Sequence, residues 1–423
     1  MKKVTQIGRK SKREIGPLEE YAEILQAGGM DGRVELIQAL IPLGLMAVEE
    51  LLQGEVAELA GERYQRQGKK AGVRWGRQPG SVYLAEQKVP VQVPRVRDRE
   101  ARRELPLASY QGLQRPQGVE EGVLRRVVAG LSQRRYKECA TLAPQAFGLS
   151  ASSVSRRYVQ ASERHLRQLC ARRLEKYDIV AIFLDGKSFA KEEMLIALGI
   201  TLEGEKIMLG FVQTGTENER ACGEFLRDLL RRGLQLEQGI LCITDGSKGL
   251  LAAVRKVFDK RALIQRCQWH KRENVVAYLA LSQQRHFRQK LQAAYAQPSY
   301  PAAKAALETV KKELRLVNES AVRSLDEGQE ETLTLHRLGL AEQLGASFKT
   351  TNCLESVNAQ VARHTKRVCR WRNSHQMQRW LACALLDIEP RLHKVKGHRW
   401  LPQLRRAIQI ELGISDRAEA KAA

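Results

Sequence analysis

The stretch GILCITDGSKGL (239–250) contains a carboxylate whose role depends on how the surrounding chain folds. A run of strand-forming residues stops on Asp245, and Gly246 follows at once, before an apolar pattern typical of a helix. One interpretation is a loop aspartate that caps the next helix. The other is a functional carboxylate at the end of a buried strand. The flanking sequence has to distinguish them.

Four further segments predict strands around this one. They are DIVAIFLD (178–185), MLIALGI (194–200), EKIMLGFV (205–212) and RALIQRC (261–267). A turn at Gly204 joins the second and third strands, and amphipathic helices flank residues 239–245. Three strands in a meander, then helix, strand, helix and strand, is the order of a ribonuclease-H-like sheet. In that sheet the first and fourth strands are parallel neighbours, so Asp185 and Asp245 would emerge at one carboxyl edge, where open α/β sheets bind ligands.

Two carboxylates held close together repel, and a divalent, oxygen-seeking cation removes the repulsion. We therefore expect Mg²⁺ at this edge, with Mn²⁺ as a substitute. A third ligand could be Glu355 in TTNCLESVNAQVARHT (350–365), where Leu354, Val357 and Val361 would pack on the sheet. The same spacing also fits a capping box, with Asn352 at the N-cap and Glu355 three residues later.

Four motifs occur in a fixed order along the chain. They are FLDGKSF (183–189), ITDGSKGL (243–250), QRCQWHKRENV (265–275) and TTNCLESVNAQV (350–361). Together they resemble the Mutator-type transposases of bacterial insertion sequences, over roughly residues 60–390. The resemblance implies a DDE transposase with a ribonuclease-H-like core and a helical insertion before the glutamate. It assigns Asp185, Asp245 and Glu355 as the catalytic, metal-binding acids. The first motif departs from many relatives, which leaves the roles of Lys187 and Lys191 open.

Cys267 and His270 lie just after the fifth predicted strand. A zinc site would need a second Cys/His pair at ligand spacing, and none follows. A buried thiol beside a polar loop histidine is the simpler interpretation for Cys267. The resemblance marks this Cys-x-x-His as a characteristic motif beside the active site. We therefore predict a catalytic His270 that contacts DNA or a reacting phosphate.

The charge of the chain indicates a polyanionic partner. Its 423 residues include 71 Lys and Arg against 48 Asp and Glu, a formal net charge of +23. Double-stranded DNA is the first expectation, and an anionic membrane surface is the second. No uninterrupted apolar run of spanning length and no signal peptide is apparent, so no membrane insertion is expected. The eight cysteines form no C-x-x-C pair and suit a reducing cytoplasm, where we expect a nucleoid-associated protein.

Three basic regions are candidate DNA contacts. A β-ribbon with edge prolines carries the first, residues 131–160 resemble a helix-turn-helix with an inward Val154, and an acid-free stretch after Glu355 carries the third. The candidate contact residues are Arg74, Arg77, Arg95 and Arg97 in the ribbon, Arg156 and Arg157 in the second helix of the helix-turn-helix, and Lys366, Arg367, Arg370 and Arg372 after Glu355.

The predicted fold class is α/β. A ribonuclease-H-like five-stranded mixed sheet forms the catalytic core, with an all-helical insertion and with helical, helix-turn-helix and small β DNA-binding regions at the N-terminal side. The predicted segments are an N-terminal helical region (1–63), the basic β-ribbon (64–105), the helix-turn-helix region (106–172), the first part of the core (173–274), the helical insertion (275–345), the completion of the core by the glutamate helix (346–390) and a basic tail (391–423).

The predicted function is a DNA transposase that binds terminal inverted repeats and performs two-metal cleavage and strand transfer. Joining two ends needs at least two active sites, so we expect a homodimer or a larger assembly on DNA. A ribonuclease-H-like, structure-specific nuclease is one alternative. A non-enzymatic helix-turn-helix regulator is another, although it leaves the paired aspartates unexplained.

Overall fold

The computed structural model describes residues 30–64, 72–84, 87–114, 119–137, 147–189, 192–214 and 219–414. The chain forms two compact units. The first comprises Met1–Val127 and Leu131–Tyr158, and the second comprises Val128–Gly130 and Val159–Ala423. The seven segments predicted from the sequence are finer than these units and stay predictions. No helix of the described residues is long and apolar enough to cross a membrane.

The first unit is built around a small antiparallel sheet. Helix α1 (Met30–Ala60) precedes strands β1 (Gly72–Leu84), β2 (Gln87–Asp98) and β3 (Glu104–Leu105), and helices α2 (Ala108–Gln114) and α3 (Val119–Val128) follow. Leu52 and Val56 of α1 pack with the inward valines of the hairpin, Val82 and Val93, in one apolar cluster. Alternating valines therefore form the hairpin that the sequence predicts, because one face is buried.

Helix α4 (Ala151–Cys170) contains the boundary between the two units. Gly148 has a φ of +85°, which favours glycine and breaks the chain before the helix. The Ser150 hydroxyl accepts a hydrogen bond from the Ser153 backbone N–H at 3.3 Å, and Val154 is fully buried, as expected for an inward residue. Most of the predicted first helix, residues 138–146, lies outside the described residues, so the helix-turn-helix stays a prediction.

The second unit contains a mixed five-stranded sheet, which confirms the α/β class. Its strands are β4 (Ile179–Phe189), β5 (Glu192–Thr201), β6 (Lys206–Thr214), β7 (Ile240–Thr244) and β8 (Ala262–Arg266). The order across the sheet is β6-β5-β4-β7-β8. Strands β4, β5 and β6 form an antiparallel meander, whereas β7 is parallel to both β4 and β8. The first and fourth strands of this sheet are therefore parallel neighbours, as the sequence predicts.

Helices α5 (Glu219–Arg231) and α6 (Lys248–Phe258) carry the connections to and from β7, and a 3-10 turn, Asp259–Arg261, leads into β8. Their apolar faces share one cluster with inward residues of the sheet. Members of this cluster are Leu226 and Leu229 of α5, Leu250 and Val254 of α6, and Ile182, Leu184, Leu195 and Leu209 of the strands. This packing buries one face of the sheet beneath the two helices.

The chain after β8 is helical as far as the described residues extend, to Ile414. The helices are α7 (Gln268–Val276), α8 (Leu281–Tyr295), α9 (Tyr300–Arg315), α10 (Glu319–Asp326), α11 (Gln329–Thr332), α12 (Thr334–Arg337), α13 (Ala341–Phe348), α14 (Asn352–Thr365), α15 (Ser374–Ile388) and α16 (Leu401–Leu412), with 3-10 turns at Glu389–Arg391 and His398–Trp400. Helices α7 to α10 enclose an apolar core of their own, and α14 packs on β4. A strandless region before the glutamate helix agrees with the expected helical insertion.

One detail of the sheet differs from expectation. The sequence places Asp185 at the end of its strand, but β4 continues to Phe189 by pairing with β5, up to Phe189 opposite Glu192. Pairing with β7 ends earlier, at Leu184 opposite Thr244. Asp185 therefore lies inside a strand, at the level where its parallel neighbour stops. The predicted strand stops at Asp185 because polar residues follow it, but the extended partner strand pairs with their backbone groups.

Candidate active site

The parallel pairing of β4 and β7 brings Asp185 and Asp245 to the same level of the sheet. Leu184 and Thr244 form the last pair, and each aspartate is the next residue on its strand. Asp185 is buried, with 6% of its surface exposed, and Asp245 is half-buried. These positions match the juxtaposition predicted from the order of the strands.

Asp245 also organises the turn into α6. Its Oδ1 accepts a hydrogen bond from the Ser247 backbone N–H at 3.0 Å, and Gly246 has a φ of +98°. Ser247, not Asp245, is the N-cap of α6, and the Ser247 side chain makes no capping hydrogen bond. The helix-cap interpretation is therefore wrong in detail, because the carboxylate stabilises the turn before the cap. Its second oxygen is not needed for that turn.

The turn from β8 into α7 places Cys267 and His270 beside the aspartates. The Cys267 backbone N–H donates to the Thr244 carbonyl at 2.7 Å, which ties this turn to the end of β7. Cys267 is fully buried and is the N-cap of α7, whereas His270 is half-buried in the first turn. The ring of His270 lies edge-on to that of Trp269, with centroids 4.9 Å apart.

Thr351 connects this turn to Glu355. Its buried hydroxyl donates a hydrogen bond to Glu355 Oε1 at 3.0 Å. The hydroxyl oxygen of Thr351 also lies 3.5 Å from His270 Nδ1 and 3.7 Å from Cys267 Sγ. Sequence reasoning missed Thr351, although a threonine four residues before a glutamate on one helix face is a signal for such a contact.

The structure rules out the alternative interpretation of a capping box at the start of α14. Thr351, not Asn352, is the N-cap, and its hydroxyl contacts the Glu355 side chain instead of a backbone N–H. Leu354, Val357 and Val361 are buried, as predicted, and Glu355 lies half-buried beside this apolar stripe. Glu355 is thus oriented by side-chain chemistry and not by helix capping.

The electrostatics of the site favour a protonated His270. A hydrogen bond with Cys267 and the negative charges of Asp185 and Asp245 outweigh burial and raise the pKa of His270 to about 9. Burial alone would raise the pKa of Cys267, but hydrogen bonds and the charge of His270 bring it below its usual value. The buried thiol beside a polar histidine is as expected, and the sulfur in addition interacts with the imidazole.

Carboxylate oxygens are the ligands that Mg²⁺ and Mn²⁺ prefer, so Asp185, Asp245 and Glu355 suit such an ion chemically. Within the described ranges, no three His, Cys, Asp or Glu side chains are grouped closely enough to hold a metal ion as they stand. Glu355 is held by Thr351. The donor chemistry thus fits a hard divalent cation, and binding through all three acids requires their side chains to approach further.

The four arginines of the hairpin contact protein groups. Arg74 donates to the Gly61 carbonyl and to the Gln53 side chain. Arg77 pairs with Glu49, and Arg95 forms a two-point pair with Glu104. Arg97 donates to the Arg102 carbonyl and stacks over the Trp75 ring. Arg77 and Trp75 are exposed, and the other three arginines are half-buried. Phosphate contacts by these residues would compete with existing partners.

The other predicted DNA contacts differ in exposure. Arg156 is exposed, but Arg157 donates to the Tyr83 hydroxyl at 3.1 Å and lies 5.2 Å from the centre of its ring. Lys366, Arg367, Arg370 and Arg372 are all exposed in the segment that joins α14 to α15. Arg367 also donates to the Gly130 carbonyl at 2.6 Å. This joining segment starts one residue after the helix that carries Glu355.

The chain belongs to the Mutator family of transposases. The model of that family, described as "Transposase, Mutator family", matches residues 19–393. The chain is similar to the transposase for insertion sequence element IS905 of Lactococcus lactis, with 27% identity over 83% of this chain and 90% of that protein. It is also similar to the transposase for insertion sequence element IS406 of Burkholderia multivorans, with 28% identity over 89% of this chain and 95% of that protein. These matches confirm the resemblance found from the four motifs.

Proposed function

We propose that the chain is a DNA transposase that cleaves the ends of an insertion sequence and joins them to target DNA. The observation that carries the proposal is the parallel pairing that puts Asp185 and Asp245 side by side, with His270 and Glu355 reached through Thr351. Membership of a transposase family and relatives named as insertion sequence transposases support it. The strand order is that expected of a ribonuclease-H-like core.

Asp185, Asp245 and Glu355 would hold Mg²⁺, with Mn²⁺ as a substitute. Divalent cations at such a site activate a water or a DNA 3′-hydroxyl and stabilise the leaving oxygen in phosphoryl transfer. Burial of Asp185 fixes its carboxylate, and the Ser247 N–H fixes one oxygen of Asp245. The Thr351 hydroxyl donates to one oxygen of Glu355 and orients this carboxylate. Ligands that are already partly oriented favour catalysis because less reorganisation is needed.

His270 would contact a phosphate oxygen of the bound DNA. Its ring lies beside the two aspartates, has a pKa raised mainly by the hydrogen bond with Cys267, and can donate a hydrogen bond to the anionic backbone. Contacts with Cys267 and Thr351 orient the imidazole ring. In this arrangement His270 positions or stabilises the reacting phosphate, whereas the three acids serve the cation.

DNA ends would be recognised by the basic elements outside the sheet. Arg156, Lys366, Arg370 and Arg372 are exposed and can reach phosphates directly. The hairpin arginines and Arg157 would exchange their present partners for phosphates, in a helix-turn-helix and ribbon arrangement. We expect binding to weaken steeply with salt, because each phosphate contact releases a counterion. Joining two ends requires two active sites, which implies a homodimer or larger assembly on DNA.

Conservative substitutions of the acids test the proposal. Asp185→Asn, Asp245→Asn and Glu355→Gln should each abolish strand transfer on a labelled element end and leave DNA binding nearly unchanged. Asp259→Asn is the matched control, because Asp259 is exposed, has a φ of +47° that asparagine tolerates, and lies at the far end of α6. Ordinary strand transfer by any one of the three variants would remove that residue from the assignment.

The same assay separates the alternatives. A transposase needs Mg²⁺ or Mn²⁺, loses activity in EDTA, and both cuts and joins the labelled DNA. A structure-specific nuclease would cut without joining. A non-enzymatic regulator would bind the end and do neither. Arg156→Ala should weaken end binding, and an unchanged affinity would argue against a role of α4 in recognition.

A further inference from the structure

A cavity of about 200 Å³ lies beside the candidate site, between β4, α14 and α15. We call it the β4–α14 pocket. Phe189, Met194 and Trp371 are among its apolar lining residues, and Lys187 and Asn358 are among its polar ones. Drug-sized ligands occupy pockets of roughly 300–1,000 Å³, so this one suits a smaller group such as a single heterocycle.

Asn358 gives the pocket an unmet hydrogen-bonding need. Only 6% of its surface is exposed, and its Oδ1 has no hydrogen-bond partner. A buried acceptor without a donor costs free energy, so a residue of this kind calls for an explanation. Because this oxygen is itself closed to solvent, a ligand N–H or O–H in the pocket supplies the missing donor when the Asn358 amide turns toward the cavity.

The pocket continues directly from the candidate site along two elements. On α14, Asn358 follows Glu355 by three residues, about one helical turn. On β4, Lys187 follows Asp185 by two residues, so both side chains lie on one face of the strand. Lys187 is exposed. A DNA strand whose reacting phosphate lies beside the cation site of the acids therefore has its neighbouring nucleotides next to the pocket.

The aromatic residues make the pocket suitable for a planar ring. Phe189 and Trp371 meet edge to face with ring centroids 5.2 Å apart, and Trp371 meets the buried Trp380 in the same manner at 6.4 Å. These contacts pack the half-buried Trp371 between two neighbouring rings. Unstacked bases bind proteins by packing on aromatic and apolar side chains while a polar group reads their edge.

We infer that the β4–α14 pocket binds one extrahelical base of the DNA next to the cleaved phosphodiester. The base carries an exocyclic amine, which donates to Asn358 Oδ1 once that amide has turned toward the cavity, and Lys187 contacts its phosphate. Adenine fits this best, because an asparagine amide pairs with its N6 and N7 atoms. The inference rests on the proposed function, since it places the pocket next to the reacting strand.

The test compares full-length wild-type protein and Asn358→Leu on a series of element ends. Each end has one abasic nucleotide, moved through the positions that flank the cleaved bond. On the unmodified end, Asn358→Leu should lower single-turnover strand transfer by about tenfold, as expected for one lost hydrogen bond. At one position the abasic nucleotide should lower the wild-type rate similarly, and Asn358→Leu should cause no further loss there.

Two further variants keep the test decisive. Gln360→Leu is the control, because Gln360 lies on the same helix outside the pocket and its side chain donates to the Ser356 carbonyl. Any loss of rate in Gln360→Leu should add to the loss caused by the abasic nucleotide at every position. Lys187→Met, on an exposed residue, should also be non-additive at the position that responds to Asn358→Leu, even if the latter variant does not fold. Additive losses at every position for both pocket variants would overturn the inference. Absence of strand transfer by the wild-type protein would instead refute the proposed function.

Discussion

Replacing Thr351 by valine tests the arrangement of the candidate site most directly. Valine keeps the shape of the side chain and removes only the hydroxyl, which donates to Glu355 Oε1 at 3.0 Å and lies 3.5 Å from His270 Nδ1. Thr351 is fully buried, so water cannot simply replace the hydroxyl. We expect Thr351→Val to fold, to bind DNA normally, and to transfer strands slowly.

The expected loss follows from the hydrogen bond that disappears. A hydrogen bond to a charged group contributes about 1.5–3 kcal/mol. If Glu355 is held for catalysis mainly by this bond, the rate falls by roughly 10- to 150-fold, at about 1.4 kcal/mol for each factor of ten. Stability should fall less, by about 1 kcal/mol, because the half-buried Glu355 carboxylate can recover hydration in the variant.

Single-turnover strand transfer at saturating protein, with thermal melts of the same samples, measures both quantities. Thr309→Val is the matched control, since its exposed hydroxyl donates only to the Ala305 carbonyl within α9. It should leave the rate unchanged. A Thr351→Val protein with the wild-type rate and a normal melt would show that Glu355 does not depend on this hydroxyl. A lower rate that follows only from unfolding would refute the reasoning equally.

Three further predictions concern the neighbouring residues. His270→Ala should lower the single-turnover rate of strand transfer about 10²-fold without unfolding the protein. Cys267→Ser should mainly lower the melting temperature. Equal rates for His270→Ala and wild type would exclude the role proposed for the imidazole. Glu327→Ala removes the carboxylate that lies 3.0 Å from the buried Nζ of Lys271, and it should lower the free energy of unfolding in urea by about 2–3 kcal/mol. The loss is smaller than for a fully buried pair because backbone carbonyls still accept hydrogen bonds from Lys271. An unchanged urea midpoint would contradict this prediction. Burial lowers the pKa of His336 from 6.5 to about 4, so its neutral form stabilises the fold fully above pH 6.5, and about 3 kcal/mol is lost as the pH falls to 4. Urea midpoints at pH 7.5 and 4.5 should therefore differ less in His336→Leu than in wild type, and the same difference in both proteins would show that His336 does not titrate as inferred.

Local sequence patterns were sufficient to predict the sheet. Each strand is a short apolar run between turn residues, and Gly204 adopts a φ of +86° in the hairpin between β5 and β6. Burial on α14 could also be predicted, because Leu354, Val357 and Val361 recur at helical spacing. Such features depend on residues close together in the chain, so the sequence carries them directly.

The limits of prediction appear where distant segments meet. The polar stretch after Asp185 resembles a loop, and only pairing with β5 keeps it extended as far as Phe189. The unpaired side-chain oxygen of Asn358 could not be predicted from the sequence. Helical spacing shows which face of α14 carries Asn358, but it does not show which groups of the neighbouring elements lie opposite that face. Both outcomes depend on what a neighbouring element provides or fails to provide.

The sequence by itself determined the class of the fold, the order of its strands, the basic charge and the identity of the three candidate acids. These follow from local periodicity, from composition and from motifs written continuously along the chain. Only the tertiary structure decided what surrounds the acids. Thr351 and His270 are 81 residues apart in sequence, and the Thr351 hydroxyl lies beside His270 and Glu355 because α7 and α14 both begin at the carboxyl edge of one sheet. Hydrogen bonds and charge interactions act over a few ångström, so the pKa of His270 and the orientation of Glu355 exist only after those segments have packed together.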